Sequence, residues 1–336
     1  MIELFKLASS VVPVLIFLIA LIYFDSFKLV SLKEILFSLF LGSIIALLCL
    51  MLNNWLEDQF FGSRTMYIRY GSPVIEETLK GLYILFLVAR RRVGFLVDAA
   101  IFGFATGTGF AAIENIYYIF SLSHTNPFLW VLRGFGTAVM HGSTTAILAI
   151  IFKNLVERYG EEKLKYFIPS LVLAVAMHSV FNHFFLNPFL STILQLIIFP
   201  FLFFIVFNSS EKKIRSWLEL NLDTDITILE YIKNGTISDT KIGAYLQLLK
   251  NNFSGLVVAD MLCYLRLHLE LGTRAKGILL LRETGFRVKV DSGIKESIGE
   301  LKFLEKNIGK TGMLALSPLL SSSVHDFWQT YLLEKG

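Results

Sequence analysis

Seven runs of apolar residues, at about 7–24, 35–53, 72–89, 95–120, 128–152, 166–186 and 189–208, each approach the ~20 residues that a helix needs to cross ~30 Å of hydrocarbon. A chain built this way must satisfy its backbone polar groups inside each segment, which helices do. The expected fold class is all-α, a polytopic membrane helix bundle of about seven spans. Hydrophobic residues make up 54% of the 336, with 31 phenylalanines among them, more apolar surface than one globular core needs. The first run has no small-residue cleavage pattern after it, so it reads as a retained helix. Pro73 falls in the first turn of the third run, which can begin upstream at Met66, and Pro200 is expected to kink the last.

Basic residues set the expected orientation. Lys28 and Lys33, then Arg90, Arg91 and Arg92, then Lys153, Arg158, Lys163 and Lys165, then Lys212, Lys213 and Arg215 all fall on one side if the N-terminus is outside. The C-terminus is then cytoplasmic, as in a bacterial inner-membrane protein. The net charge of +4 comes from these short blocks beside apolar runs, so no nucleic-acid partner is implied. Cys49 and Cys263 are too few and too differently placed for a disulfide frame or a thiolate metal site.

Two domains are expected: a membrane bundle over 1–210, with its core at about 66–186, and a cytoplasmic helical domain over 211–336. The second has amphipathic stretches at 225–249 and 255–271 and a short apolar run at 277–281. It carries no catalytic motif, and a cytoplasmic partner is the expectation for it. His268 and His325 have no partners at ligand spacing and read as core or surface residues. The glycosylation patterns at Asn234 and Asn252 lie on the expected cytoplasmic side and are common by chance.

Ionisable residues inside a membrane are expensive and usually functional. The third run opens Ser72-Pro73-x-x-Glu76-Glu77-x-x-Lys80, so Lys80 can neutralise one carboxylate while the other is left for chemistry. The fourth carries Asp98 at its start and Gly103, Gly107 and Ala111 at four-residue spacing, a flat face expected to take the third span. Phe110, Glu114 and Asn115 follow. The fifth carries Arg133 and then His141, and the sixth carries His178 and Asn182 on one face, so that one can orient the other or both can hold a ligand. His183 points elsewhere and reads as a packing residue. At ~1.5 Å per residue, Glu114 lies about 9 Å and His178 about 12 Å from the outer ends of their spans. Glu76 and Glu77 lie close to the outer end and His141 nearer the midplane, so Glu76, Glu114, His141 and His178 are expected to converge on one water-accessible cavity.

Such a set suits attack by water: a buried Glu acts as base, while histidines stabilise an oxyanion or ligate a metal. Glu76, Glu114, His141 and His178 also suffice to hold a divalent metal, with Zn²⁺ the first choice, at an open site. No His-Glu-x-x-His and no Gly-x-Ser-x-Gly is present, and Ser143, Thr144 and Ser179 read as ordinary helix residues.

The four blocks, Ser-Pro-x-x-Glu76-Glu77-x-x-Lys80, Gly107-x-Gly109-Phe110-Ala-x-x-Glu114-Asn115, Arg133 with His141, and His178-x-x-x-Asn182, resemble in order and spacing the PrsW family of intramembrane proteases. That family is related to the CAAX prenyl-protease and bacteriocin-processing group. The resemblance covers about 66–186 and implies hydrolysis of a peptide bond in a membrane-anchored protein or peptide, in or beside the bilayer. The founding member clips a membrane-bound anti-sigma factor on the extracytoplasmic side, which fits the outer-half depth. Carried over by position, Glu76 and Glu77 are the paired acids, Glu114 and His141 the next catalytic or metal-binding pair, and His178 with Asn182 the last block. The family is described as metalloprotease, whereas in the prenyl-protease group a glutamate-activated water without metal is proposed, so both forms of the water stay open. The long tail has no counterpart in the family pattern. Competing readings are a non-catalytic scaffold of the same superfamily and a proton-coupled transporter, although no internal repeat is visible.

Overall fold

The computed structural model describes residues 2–60, 63–121, 126–159, 163–284, 286, 293–320 and 333. Among these there are helices and no strands. They form two compact units, 1–210 and 211–336.

The first unit contains α1 (Ile2–Phe24), α2 (Leu32–Phe60), the single turn α3 (Arg64–Met66), α4 (Ser72–Ala89), α5 (Leu96–Ser121), the short α6 (Pro127–Leu132), α7 (Val139–Tyr159), α8 (Lys163–Asn182) and the start of α9 (Pro188–Lys233). Two π-helical turns interrupt the series, Tyr67–Gly71 before α4 and Arg133–Ala138 between α6 and α7. Asn126 and Asn187 cap the helices that follow, each accepting from the backbone N–H two residues on, with proline in the next position.

Six helices among the described residues are long and apolar enough to cross a membrane: α1, α2, α5, the α6–α7 stretch, α8 and α9. The expected seventh, α4, has 18 residues, and its Glu76, Glu77 and Lys80 are all buried. Those three charges take it below the hydropathy of a simple span. They are sheltered by protein instead of lipid.

α5 is the central helix, buried over nearly all of its length. Its close approaches depend on missing side chains. A Cβ on Gly103 would strike the backbone of Thr145 and Ala146, and one on Gly107 would strike that of His141 and Gly142. The flat face therefore takes α7, not the third span as expected from the sequence. The third-span helix, α4, lies against α2 and α8. On another face of α5, Gly109 meets the backbone of Leu39, and Ser43 Oγ donates to its carbonyl at 3.1 Å. Phe17, Phe104 and Phe203 bring α1, α5 and α9 together, with the first two rings stacked at 4.9 Å.

α9 runs on through Pro200 and past the expected end near 208. The second unit adds α10 (Lys241–Leu249), α11 (Gly255–Glu283) and α12 (Gly293–Leu316). Leu229, Leu265 and Leu269 form a core in it, and Lys276 and Asp225 make a buried ion pair. The apolar run at 277–281 lies within α11, with Ile278 and Leu279 buried. His268 stacks on Tyr264, and burial depresses its pKa. His325 lies outside the described residues.

A valine at Gly103 must push the α7 backbone away, so Gly103→Val is expected to destabilise the bundle by about 1–3 kcal/mol. Gly277→Ala, in α11 with open space where its Cβ would lie, is expected to be neutral or stabilising by up to about 1 kcal/mol. Thermal unfolding of both variants in detergent checks the pair.

Candidate active site

α5 and the helices around it bring four of the expected residues to one cavity of about 270 Å³, whose lining includes Glu76, Glu114, His141 and His178. Asn53, Phe110, Arg133 and Asn182 also line it, as does Cys49, a buried free thiol.

Behind the cavity sits an ion pair with no solvent contact. Lys80 Nζ donates to Glu77 Oε1 at 2.6 Å, and both side chains are fully buried. Lys80 also lies 4.4 Å from the centre of the Phe110 ring and 3.2 Å from His141 Nδ1. An ammonium has only protons to offer, so His141 Nδ1 accepts and Nε2 is the nitrogen turned toward Glu114 Oε2, 3.1 Å away. Glu77 Oε1 accepts a second bond, from His178 Nδ1 at 2.8 Å. That leaves the Nε2 lone pair of His178 pointing toward Glu76 Oε2 at 3.9 Å. Glu77 itself does not line the cavity; it orients His178 in the way a carboxylate orients a metal-binding imidazole.

The two adjacent carboxylates thus face different ways. Glu76 Oε1 accepts from Ser72 Oγ and from Asn53 Nδ2 at 3.2 Å, and Asn53 is in turn held by Tyr67 Oη at 2.6 Å. Its Oε2 is buried without a hydrogen-bond partner. Asn53 was not foreseen, because an Asn near the end of an apolar run carries no motif. The only signal was a polar residue on the helix preceding the Glu pair.

Glu114 is the more open carboxylate, with its side chain 16% exposed, and Arg133 Nη2 approaches its Oε2 at 3.3 Å. Arg133 Nε donates to Asn115 Oδ1 at 2.8 Å, while the guanidinium lies over the Tyr118 ring at 4.3 Å. Asn115 Nδ2 reaches back to the Ser10 carbonyl of α1 at 2.9 Å. Arg133 and Asn115 therefore form a bracket that fixes Glu114.

Asn182 does not pair with His178. Its Nδ2 donates to the Ile68 carbonyl at 2.9 Å, and Ser179 Oγ donates to the Arg69 carbonyl at 2.6 Å. Pro73 has no N–H to give to Arg69, and the π turn leaves carbonyls of this stretch without the usual helical donors. Side chains of α8 supply the missing donors, which makes Ser179 more than an ordinary helix residue. His183, by contrast, is a satisfied packing residue between the Ser179 carbonyl and Tyr70 Oη.

Ligand atoms of Glu76, His141 and His178 all lie within 4.8 Å of one another. With an unpartnered Glu76 oxygen, a free His178 lone pair and a carboxylate-oriented ring, the set fits a divalent cation in donor type and spacing, with His141 joining it through Nε2 on loss of that nitrogen's proton. Glu114 stands beside that trio.

A helical membrane bundle whose cavity joins two carboxylates and two imidazoles to a bracketed arginine carries the groups that hydrolysis by an activated water uses. The profile described as PrsW family intramembrane metalloprotease matches residues 31–207, and the chain belongs to that family. It is thus a membrane protease. It is also similar to a curated relative named Protease PrsW, from Clostridioides difficile (strain 630), at 24% identity over 207 residues, 59% of this chain and 85% of the relative. No solved structure matches the chain.

Lys80→Met strands the Glu77 carboxylate in the interior, and a loss of about 3–5 kcal/mol is expected. The double variant Lys80→Met/Glu77→Gln removes both charges and should recover more than half of that. Denaturant unfolding of both in detergent is the check, and equal instability of the two would show that the pair is not what stabilises this region.

Proposed function

We propose that the chain cleaves a membrane-anchored protein by adding water to a peptide bond at the 270 Å³ cavity, with Glu76, His141 and His178 holding a zinc ion and Glu114 acting as general base. The observation that carries this is the division between the two cavity carboxylates. Glu76 offers a bare, deeply buried oxygen within ligand distance of two imidazoles, whereas Glu114 is the open one.

When bound, the metal would supply Lewis acidity and a water that ionises near neutral pH. The chain does the rest. Glu77 donates no proton; it accepts from His178 Nδ1 and so keeps the Nε2 lone pair directed into the site. Lys80 balances the Glu77 charge and stands 3.2 Å from His141 Nδ1; for His141 to ligate, one proton would leave the Lys80–His141–Glu114 chain of contacts, so that Nε2 has a lone pair to give. Asn53 and Ser72 fix one oxygen of Glu76, so the other can point only inward. Glu114 accepts the proton of the attacking water and returns it to the leaving amine. Arg133, clamped by Glu114, Asn115 and Tyr118, presents the cation that balances charge growing on the scissile carbonyl oxygen.

The placement of the basic blocks supports an outside N-terminus, a cytoplasmic 211–336 unit and a site in the outer half of the bilayer of a bacterial inner membrane. The relative named Protease PrsW is itself bacterial.

Metal analysis and cleavage of a single-span membrane protein, measured on the same preparations, test the assignment. Wild type is expected to hold about one metal ion per chain and to lose cleavage with chelator. His178→Ala and Glu76→Gln should lose both metal and cleavage. Glu114→Gln should keep the metal and lose cleavage by about 10²–10⁴-fold, the usual contribution of a general base. Cleavage by a metal-free, chelator-treated wild type would overturn the metal assignment.

A further inference from the structure

Beside the catalytic cavity lies a second one, of about 530 Å³, between the π turn Arg133–Ala138, the end of α8 and the first turns of α9. The two share Arg133, Thr137, Phe181 and Phe184 as a common wall. The larger cavity is lined mainly by apolar side chains such as Leu132, Met140 and Leu194. Among the described residues, none that lines the catalytic cavity comes from α9.

One polar side chain in this apolar space is incompletely bonded. Gln195 Nε2 donates to Ser191 Oγ at 3.4 Å, but Oε1 is buried without a partner. Neighbouring hydroxyls are already engaged: Thr192 donates to the Pro188 carbonyl at 2.8 Å and Thr144 to Met140 Sδ at 3.5 Å. A bare amide oxygen is unfavourable in a hydrocarbon environment, so a donor is expected to meet it when the cavity is filled. A lipid acyl chain would fill the volume and bring no donor.

A transmembrane substrate brings both. Its peptide bonds are locked in the helical hydrogen-bond ladder, so the segment must unwind before a bond can be attacked, and unwinding frees backbone N–H groups while the side chains stay apolar. We propose that the 530 Å³ cavity receives the substrate chain next to the cleaved bond. Large apolar side chains of the unwound stretch occupy it, and a freed backbone N–H of that stretch donates to Gln195 Oε1. The common wall places a residue held there within a short stretch of chain of a peptide bond at the catalytic cavity. Specificity for a bulky apolar residue at a fixed offset from the cleaved bond follows. This inference rests on the reading that the substrate is a membrane-anchored protein.

The test uses the full chain in lipid nanodiscs with a photoreactive benzophenone side chain at Leu194. The probes are two synthetic single-span peptides with a Gly-Gly break in the outer half of the helix, one with Phe beside the break and one with Gly in its place. The Phe peptide should be labelled about tenfold or more above the Gly peptide, the discrimination expected of an apolar pocket. Gln195→Leu should lower that labelling about tenfold, and Gln195→Glu, which keeps an acceptor, should retain most of it. Equal labelling of the two peptides, or labelling of lipid alone, would overturn the proposal. Cleavage is followed in parallel with the unmodified chain. Phe-dependent labelling without cleavage upholds the cavity assignment and counts against the protease mechanism, whereas cleavage indifferent to the Phe overturns the cavity assignment and leaves the mechanism standing.

Discussion

The buried pair between Lys80 and Glu77 is the interaction on which the site depends. Both groups are shut away from water, and each also holds a histidine, since Glu77 accepts from His178 Nδ1 and Lys80 donates to His141 Nδ1. One pair thereby sets the orientation of two imidazoles on two different helices. Exposed ion pairs contribute little, but a buried one cannot lose a partner without stranding a charge, which makes its geometry stiff. Adjacent glutamates on one helix point about 100° apart, and that is what lets Glu77 serve as the anchor while Glu76 meets the cavity.

Irregular backbone shapes the rest. The π turn before α4 and the one before α7 each add a residue to a helical turn just upstream of functional side chains, and such turns are found at functional sites because they re-aim the next stretch of helix. Their free carbonyls are tolerable in a membrane only where other groups satisfy them. Ser179 and Asn182 do this for Arg69 and Ile68, so the helix that supplies His178 also repairs the helix that supplies the glutamates. The glycines of α5 do a related job, since contact between the backbones of α5 and α7 brings His141 within reach of Glu114.

Much of the fold was legible in the sequence, because hydropathy along a span is a local property. Six of the seven expected runs appear as long apolar helices, and the seventh departs from that description only because it carries the site's charges. Less legible was how helices choose neighbours. Gly103 and Gly107 announced a close contact, but a small-residue face does not name its partner, and it takes α7. Similarly, the four-residue spacing of His178 and Asn182 suggested a pair, whereas a Pro73-linked gap in another helix claims the amide.

The sequence by itself determined that the chain is a bundle of membrane helices and which acids, histidines and arginine its apolar runs carry, since composition and periodicity need no knowledge of neighbours. Only the tertiary structure decided their division of labour. Lys80 meets His141 across 61 positions, and Glu77 meets His178 across 101. Contacts over such separations are set by which helix backbones pack closely enough to touch. The same packing decides which glutamate lines the cavity and which becomes an anchor.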